Sequence, residues 1–323
     1  MRATGIQVVD PRKLNIDFMS QRRVAMFITL ALLLLSLVGL AARGLNFGID
    51  FTGGVLVEVG YEEAPSLQDV RQRLDAVGFE NALVQNFGSP REVLIRVPPE
   101  HADENGDEGS EEISTLVLQA LSEGDVEVDV RRVEFVGPQV GEELREQGGL
   151  AVLFALIGIL IYVSLRFEWR FALGSVGALI HDVVLVLGAF AWLQLSFDLA
   201  VLAAILAVIG YSLNDTIVVY DRIRENFLNL RKAVPRAVVN LSVNQMLART
   251  IVTSTTTLMV LLSLYLLGGE VMRGFSVALI LGVVIGTYSS IYVASTLALA
   301  LGVSKQDIMP RPADKGEGEK DVP

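Results

Sequence analysis

The chain alternates between long apolar runs and one polar stretch of period two, and this contrast sets its organisation. Residues 24–42 are 19 consecutive positions without a charge, close to the roughly 20 needed to cross a bilayer. Further apolar runs occupy residues 148–165, 171–193, 198–220, 249–267 and 275–301. Six runs predict six transmembrane helices. Between the first two the period changes. Val55, Val57 and Val59 alternate as in a strand. Residues 66–77 are amphipathic, and Ser66 stands three residues before Asp69, a capping-box variant. Residues 82–87 and 93–97 read as two more strands, 113–121 as a second helix and 126–136 as a last alternating strand. The order βαββαβ predicts an α+β, ferredoxin-like domain with two helices on one sheet face and the other face bare. The expected fold class is therefore a polytopic α-helical membrane protein with this domain inserted between helices 1 and 2.

Composition supports the membrane class, since 52% of residues are hydrophobic. Charge then divides the chain. Residues 44–147 hold 23 acids and 7 bases, a sum of −16; the rest holds 14 acids and 19 bases, or +5. An acidic soluble domain is thus grafted onto a mildly basic membrane domain, which argues against nucleic acid as a partner. Lys and Arg concentrate before the first span, in 166–170, in 221–248 and in the tail, whereas the short turns on the opposite side hold only Arg273. The positive-inside rule then places both termini in the cytoplasm and residues 44–147 in the periplasm. The expected segments are 1–23, cytoplasmic; 24–42, the first span; 43–147, the periplasmic domain and its linker; 148–302, a five-helix membrane domain; and 303–323, a cytoplasmic tail. A cleaved leader is the competing reading of 24–42, but the run exceeds the ~7–15 apolar residues of a signal core.

Several chemistries lack their parts. The chain has no cysteine and two histidines, one of them His101 in the acidic segment, so no metal site is expected. No phosphate loop of the form GxxxxGK[ST] and no nucleophile–His–acid arrangement is present, so neither a cofactor nor an enzyme reaction is expected. The acidic segment 98–112 reads as a solvated loop, and its spacing does not match an EF-hand.

The stretch 198–226 carries the most unusual chemistry. It starts as an apolar helix with small residues, then Asn214 and Asp215 interrupt it, and Asp221-Arg222-Ile223-Arg224-Glu225-Asn226 closes it. A carboxylate inside a membrane span is costly and by default functional. Asp215 shares a helix face with Ala204, Val208, Tyr211 and Ser212. Its expected partner is Arg249, at the start of the fifth span. Thr253, Thr256 and Thr257 continue the face of Arg249, and their hydroxyls can hold water and relay protons. The competing reading is a static ion pair among packing hydroxyls. His181 and Asp182 lie about ten residues into the third span, roughly 15 Å deep. His181 either titrates near neutral pH or is a neutral, hydrogen-bonded packing residue. Glycines and serine at 282, 286 and 290 form a small-residue face for helix packing.

The segments FGIDFTGG (47–54), VGPQVGEEL (136–144), HD (181–182), VIGYSLNDTIVVYDRIREN (208–226) and ARTIVTSTTT (248–257) resemble the SecF family, subunits of the bacterial SecD–SecF export complex within the resistance-nodulation-division superfamily. The resemblance implies an inner-membrane protein that works with SecD, draws on the proton-motive force and assists preprotein passage through the SecYEG channel. It places the family's membrane carboxylate on Asp215 and its arginine partner on Arg249. Six helices with one clear carboxylate look like half of a two-fold pump. Two alternatives stand beside this: a non-conducting scaffold that holds SecD to the channel, and a small-molecule exporter of the same superfamily.

Overall fold

The computed structural model describes residues 16–99, 107–122, 128–230 and 233–304. In chain order the elements are α1 (Arg22–Arg43), β1 (Asn46–Phe47), α2 (Ile49–Thr52), β2 (Gly54–Tyr61), α3 (Leu67–Ala76), β3 (Leu83–Phe87), β4 (Ser89–Val97), α4 (Asp107–Leu121), β5 (Val128–Val136), α5 (Pro138–Arg166), α6 (Trp169–Leu193), β6 (Ser196–Phe197), α7 (Leu199–Asn229), α8 (Pro235–Leu267), a 3-10 turn (Glu270–Met272), α9 (Arg273–Ser289), a π turn (Ser290–Ala294) and α10 (Ser295–Ala300). Among the described residues six helical segments are long and apolar enough to cross a membrane: α1, α5, α6, α7, α8 and the α9–α10 unit. The chain is a multi-pass membrane protein.

The inserted domain follows the expected element order. Its four strands lie in the order β3-β4-β2-β5, all antiparallel. Ser66 caps α3 by accepting the Asp69 N–H, as the sequence suggested. Val55, Val57 and Val59 of β2 and Val93, Ile95 and Val97 of β4 point to one face, where Val70 and Leu74 of α3 and Ile113 and Val117 of α4 cover them. The other face is not bare. Leu56 and Leu94 point there and bury against Ile49 of α2. Period-two alternation explains why: two leucines on the outward face of central strands need cover, and the short helix supplies it.

The structure differs from the sequence reading in the lengths of its helices. Asn214 and Asp215 interrupt the apolar pattern but not the helix, since α7 runs unbroken for 31 residues. Residues 221–229 extend α7 and 235–248 begin α8, so helix covers ground between the fourth and fifth apolar runs that no apolar run marks. The polar segment 138–147 is continuous with the second span in α5. The acidic segment is helical from Asp107 onward; its residues 100–106, like the 1–15 and 305–323 segments, lie outside the described residues.

The FGIDFTGG motif builds the joint between domain and bundle. β1 pairs in parallel with β6, and Gly48 N–H donates to Phe197 O at 2.8 Å. Phe47, Phe51 and Phe197 pack edge to face or tilted, and the Arg145 guanidinium lies 5.4 Å above the Phe47 ring. Gly53 and Gly54 have φ of +71° and +113°, which L side chains rarely adopt. A Cβ on Gly53 would also strike Pro138 Cα at 2.8 Å, so α5 starts directly against this pair.

Within the membrane region α6, α7 and α9 are the inner helices, while α1, α5 and α8 keep broad apolar faces outward. Glycine permits the close crossings. A Cβ on Gly282 would come 2.1 Å from Val208 Cγ2, one on Gly188 would meet Ser36 Cβ at 2.2 Å, and one on Gly174 would meet Tyr220 Oη at 2.5 Å. The small-residue face read at 282 and 286 is therefore a real contact, between α9 and α7.

Candidate proton-relay site

Three inner helices converge on a buried polar cluster. Asp182 and His181 come from α6, Ser212 from α7 and Ser289 from the end of α9; all are buried. Asp182 accepts from three neighbours. His181 Nδ1–H donates to Oδ1 at 2.9 Å, Ser289 Oγ–H donates to Oδ2 at 2.8 Å, and Ser212 Oγ–H makes a short bond to the same Oδ2. Carboxylate acceptance fixes the histidine tautomer, with the proton on Nδ1. His181 Nε2 is then buried without a partner among the described residues. Tyr288 stacks at 6.5 Å from the His181 ring and hands its hydroxyl to Ala25 O of α1. The local sequence makes this convergence possible. Gly286 lets Ser212 approach α9 closely, since a Cβ there would stand 3.1 Å from Ser212 Cβ, and Ser289 follows one turn later on the same face.

Asp215 lies three residues beyond Ser212 on that face of α7 and is 5% exposed. Among the described residues its buried Oδ2 has no hydrogen-bond partner, nor have Thr216 Oγ1 and Tyr211 Oη. Arg249 of α8 is the cation whose field reaches Asp215, yet no ion pair closes between them and the arginine is exposed. Thr253 and Thr256 bond back to carbonyls of their own helix, to Arg249 O and Thr250 O and to Val252 O and Thr253 O. Thr257 is half-buried and Asn214 points outward, away from Asp215. Near Arg249 the hydroxyls of α8 that do face the bundle are Thr250 and Ser254, the latter bonded to Thr287 Oγ1 at 2.7 Å. The structure thus unites His181 and Asp182 with two serines, places Asp215 one turn away, and leaves Arg249, Thr253 and Thr256 on the rim. Among the described residues no group of three His, Cys, Asp or Glu could hold a metal.

Sequence reasoning missed Ser289 as a ligand of Asp182. Its only signal was a Ser-Ser pair in an apolar run. The π turn that follows was also unanticipated. Tyr220, fully buried, donates to Ala294 O inside it at 2.9 Å. The charged run after Tyr220 has a plain structural use. Asp221 pairs with Arg166 at 3.1 Å, Arg224 approaches Glu168 at 3.9 Å, and Asn226 Nδ2 donates to Ser242 Oγ and Gln245 Oε1. It ties α7 to the α5–α6 turn and to the start of α8.

Residues 117–304 match the family described as protein export membrane protein SecD/SecF, C-terminal, and residues 38–65 match the SecD/SecF GG motif. The chain is 50% identical over 308 residues to the protein translocase subunit SecF of Vibrio alginolyticus, covering 95% of this chain and 96% of that one. This chain belongs to the SecF family. The SecF subunit of Pseudomonas aeruginosa is 48% identical over 298 residues, covering 92% of this chain and 94% of that one. Among solved structures, the crystal structure of SecDF, a translocon-associated membrane protein from Thermus thermophilus, superposes with a TM-score of 0.80 at 40% identity. It covers 89% of this SecF-family chain, which spans only 39% of the solved chain. SecDF in its super-membrane-facing form superposes with a TM-score of 0.66 over the same share of each chain. The GG motif match falls on Gly53 and Gly54 and their surroundings, the joint between domain and bundle.

Proposed function

We propose that this chain is the SecF-type half of a proton-driven export device in the bacterial inner membrane. A SecD chain supplies the other half, and the pair uses the proton-motive force to assist preprotein passage through SecYEG. Both termini lie in the cytoplasm and the βαββαβ unit is a ferredoxin-like periplasmic domain. The chain catalyses no reaction of its own.

The observation that carries this reading is the Asp215 carboxylate, buried in a membrane helix with an oxygen that has no partner within the described chain. Buried polar atoms are nearly always satisfied, so such an oxygen is a place for a proton, a water or a partner's side chain. Arg249, Thr253 and Thr256, on the outward face of α8, are placed for a partner to cover, which fits a half-site. Asp215, Arg249, Asn214, Thr253, Thr256, Thr257, Asp182 and His181 are the residues assigned to the pathway. A scaffold role draws on a different observation: Asp182 has three donors and behaves as a fixed joint.

The test is export into proton-loaded vesicles by the reconstituted complex carrying Asp215→Asn. Loss of gradient-driven stimulation with normal SecD assembly supports the proton reading. Stimulation equal to wild type leaves the scaffold.

A further inference from the structure

The inserted domain meets the outer helix ends at two places, which belong to different helix pairs: the GG joint, where Arg96 adds to the β1–β6 pairing, and the tip of the β3–β4 hairpin. At one end Arg96 of β4 reaches into the α6–α7 turn. Its guanidinium donates to Asn46 Oδ1 at 3.3 Å, to Phe47 O at 3.2 Å and to Ser196 Oγ at 2.6 Å. Beside it, Asp50 Oδ2 accepts the Leu199 N–H and Asp198 Oδ1 accepts the Val201 N–H, so both carboxylates cap the start of α7. At the other end Gly88, the tip of the β3–β4 hairpin, lies against Glu270 in the α8–α9 turn. A Cβ there would stand 2.7 Å from Glu270 Cγ.

These two turns are the outer ends of the helices that carry the site. The α6–α7 turn leads into α7 with Asp215, and the α8–α9 turn ends α8 with Arg249. Between the contacts runs a single strand, β4, paired on both sides to β2 and β3. From Ser89 to Arg96 is about 23 Å at roughly 3.3 Å per residue, and a doubly paired strand does not shorten. The ends differ in strength. Arg96 makes three hydrogen bonds, one to Ser196 in the turn and two to β1, which pairs with that turn; the Gly88 end is a packing contact with no hydrogen bond among the described residues.

We infer that Arg96 is the pivot of the domain and that the hairpin tip is its sliding end, so that relative movement of α7 and α8 swings the whole sheet over the outer face. This rests on the proton-driven reading, which supplies the movement: protonation of Asp215 changes the force between α7 and α8. Arg96 is a positioning residue in this scheme. It fixes where the domain turns, and β4 sets how far the far edge travels.

The chain has no native cysteine, which makes a reversible lock clean. Ser89→Cys and Glu270→Cys, joined by a short reducible bis-thiol crosslinker in the complex with SecD, pin the sliding end. Gradient-driven export should fall at least about fivefold, the lower range of allosteric coupling, and recover when reductant cleaves the linker. The uncrosslinked double variant controls for folding and assembly. Arg96→Met should lower export stimulation without loss of SecD binding, and should make the spacing between spin labels on α3 and on the α8–α9 turn insensitive to the proton gradient. Unchanged export in the crosslinked complex, beside an inactive Asp215→Asn, overturns the pivot and leaves the proton reading intact. Full activity of Asp215→Asn removes both.

Discussion

Asp215 and Arg249 stand on adjacent helices within reach of each other's field, but no ion pair joins them. The carboxylate is buried and the guanidinium is exposed on the rim. An open pair of this kind is one that a partner or a conformational change can close. Asp215→Asn removes a buried charge that has no internal donor, so it should leave the melting temperature unchanged or raise it. Arg249→Met should abolish proton-driven export as Asp215→Asn does, and the double variant should be no worse than either single. Additive losses in the double variant would show that the two residues act separately.

Gly282 and Val208 set the crossing of α9 over α7. Gly282→Ala puts a methyl 2.1 Å from Val208 Cγ2, and should destabilise the folded chain by about 1–3 kcal/mol through overpacking. Val208→Ala should restore much of that loss in the double variant. A thermal-unfolding cycle in detergent checks it, and a cycle without favourable coupling would mean the crossing is looser than described.

Ser289→Ala removes one of three donors to Asp182 and should cost roughly 0.5–1.5 kcal/mol, the usual scale of interhelical hydrogen bonds in membranes. His181→Phe leaves the Oδ1 oxygen of Asp182 without its donor and should cost more. Equal stability of the two variants would indicate that the histidine bond contributes little.

Tyr61 closes β2 with its hydroxyl buried and without a partner among the described residues, and burial pushes its pKa up to about 12, against a smaller lowering by Arg73. The folded state therefore holds this proton between about pH 10, the ordinary tyrosine value, and pH 12, while the unfolded chain releases it. The stabilisation is complete below pH 10 and is lost as pH rises through that window. Tyr61→Phe should flatten the alkaline fall in stability and cost nothing at neutral pH, since no hydrogen bond is lost. Denaturant titrations at pH 8, 10 and 11 measure it; parallel curves for wild type and variant would refute the assignment.

Periodicity alone determined much of this protein. Apolar runs of membrane length located six spans, and the alternation of Val55, Val57 and Val59 located the first strand of the sheet, because side-chain direction depends only on local backbone geometry. The Ser66 cap was legible for the same reason: donor and acceptor lie three residues apart. Asp215 and Asp182 could be singled out because a charge in an apolar run is conspicuous whatever the fold. Tertiary structure decided what those residues touch. Ser289 reaches Asp182 across 107 positions of sequence, and Arg96 reaches Ser196 across 100. Helix continuity through 221–229 and 235–248 was hidden because polar residues there are held by contacts between α7, α8 and the α5–α6 turn, not by an apolar pattern. The outward face of the sheet looked bare in sequence, since only folding brings Ile49 over Leu56 and Leu94. The same holds for Arg249. Its place in sequence suggested a pair with Asp215, but whether the guanidinium turns inward depends on how α8 rotates against α7, and the buried face of α8 is taken by Thr250 and Ser254.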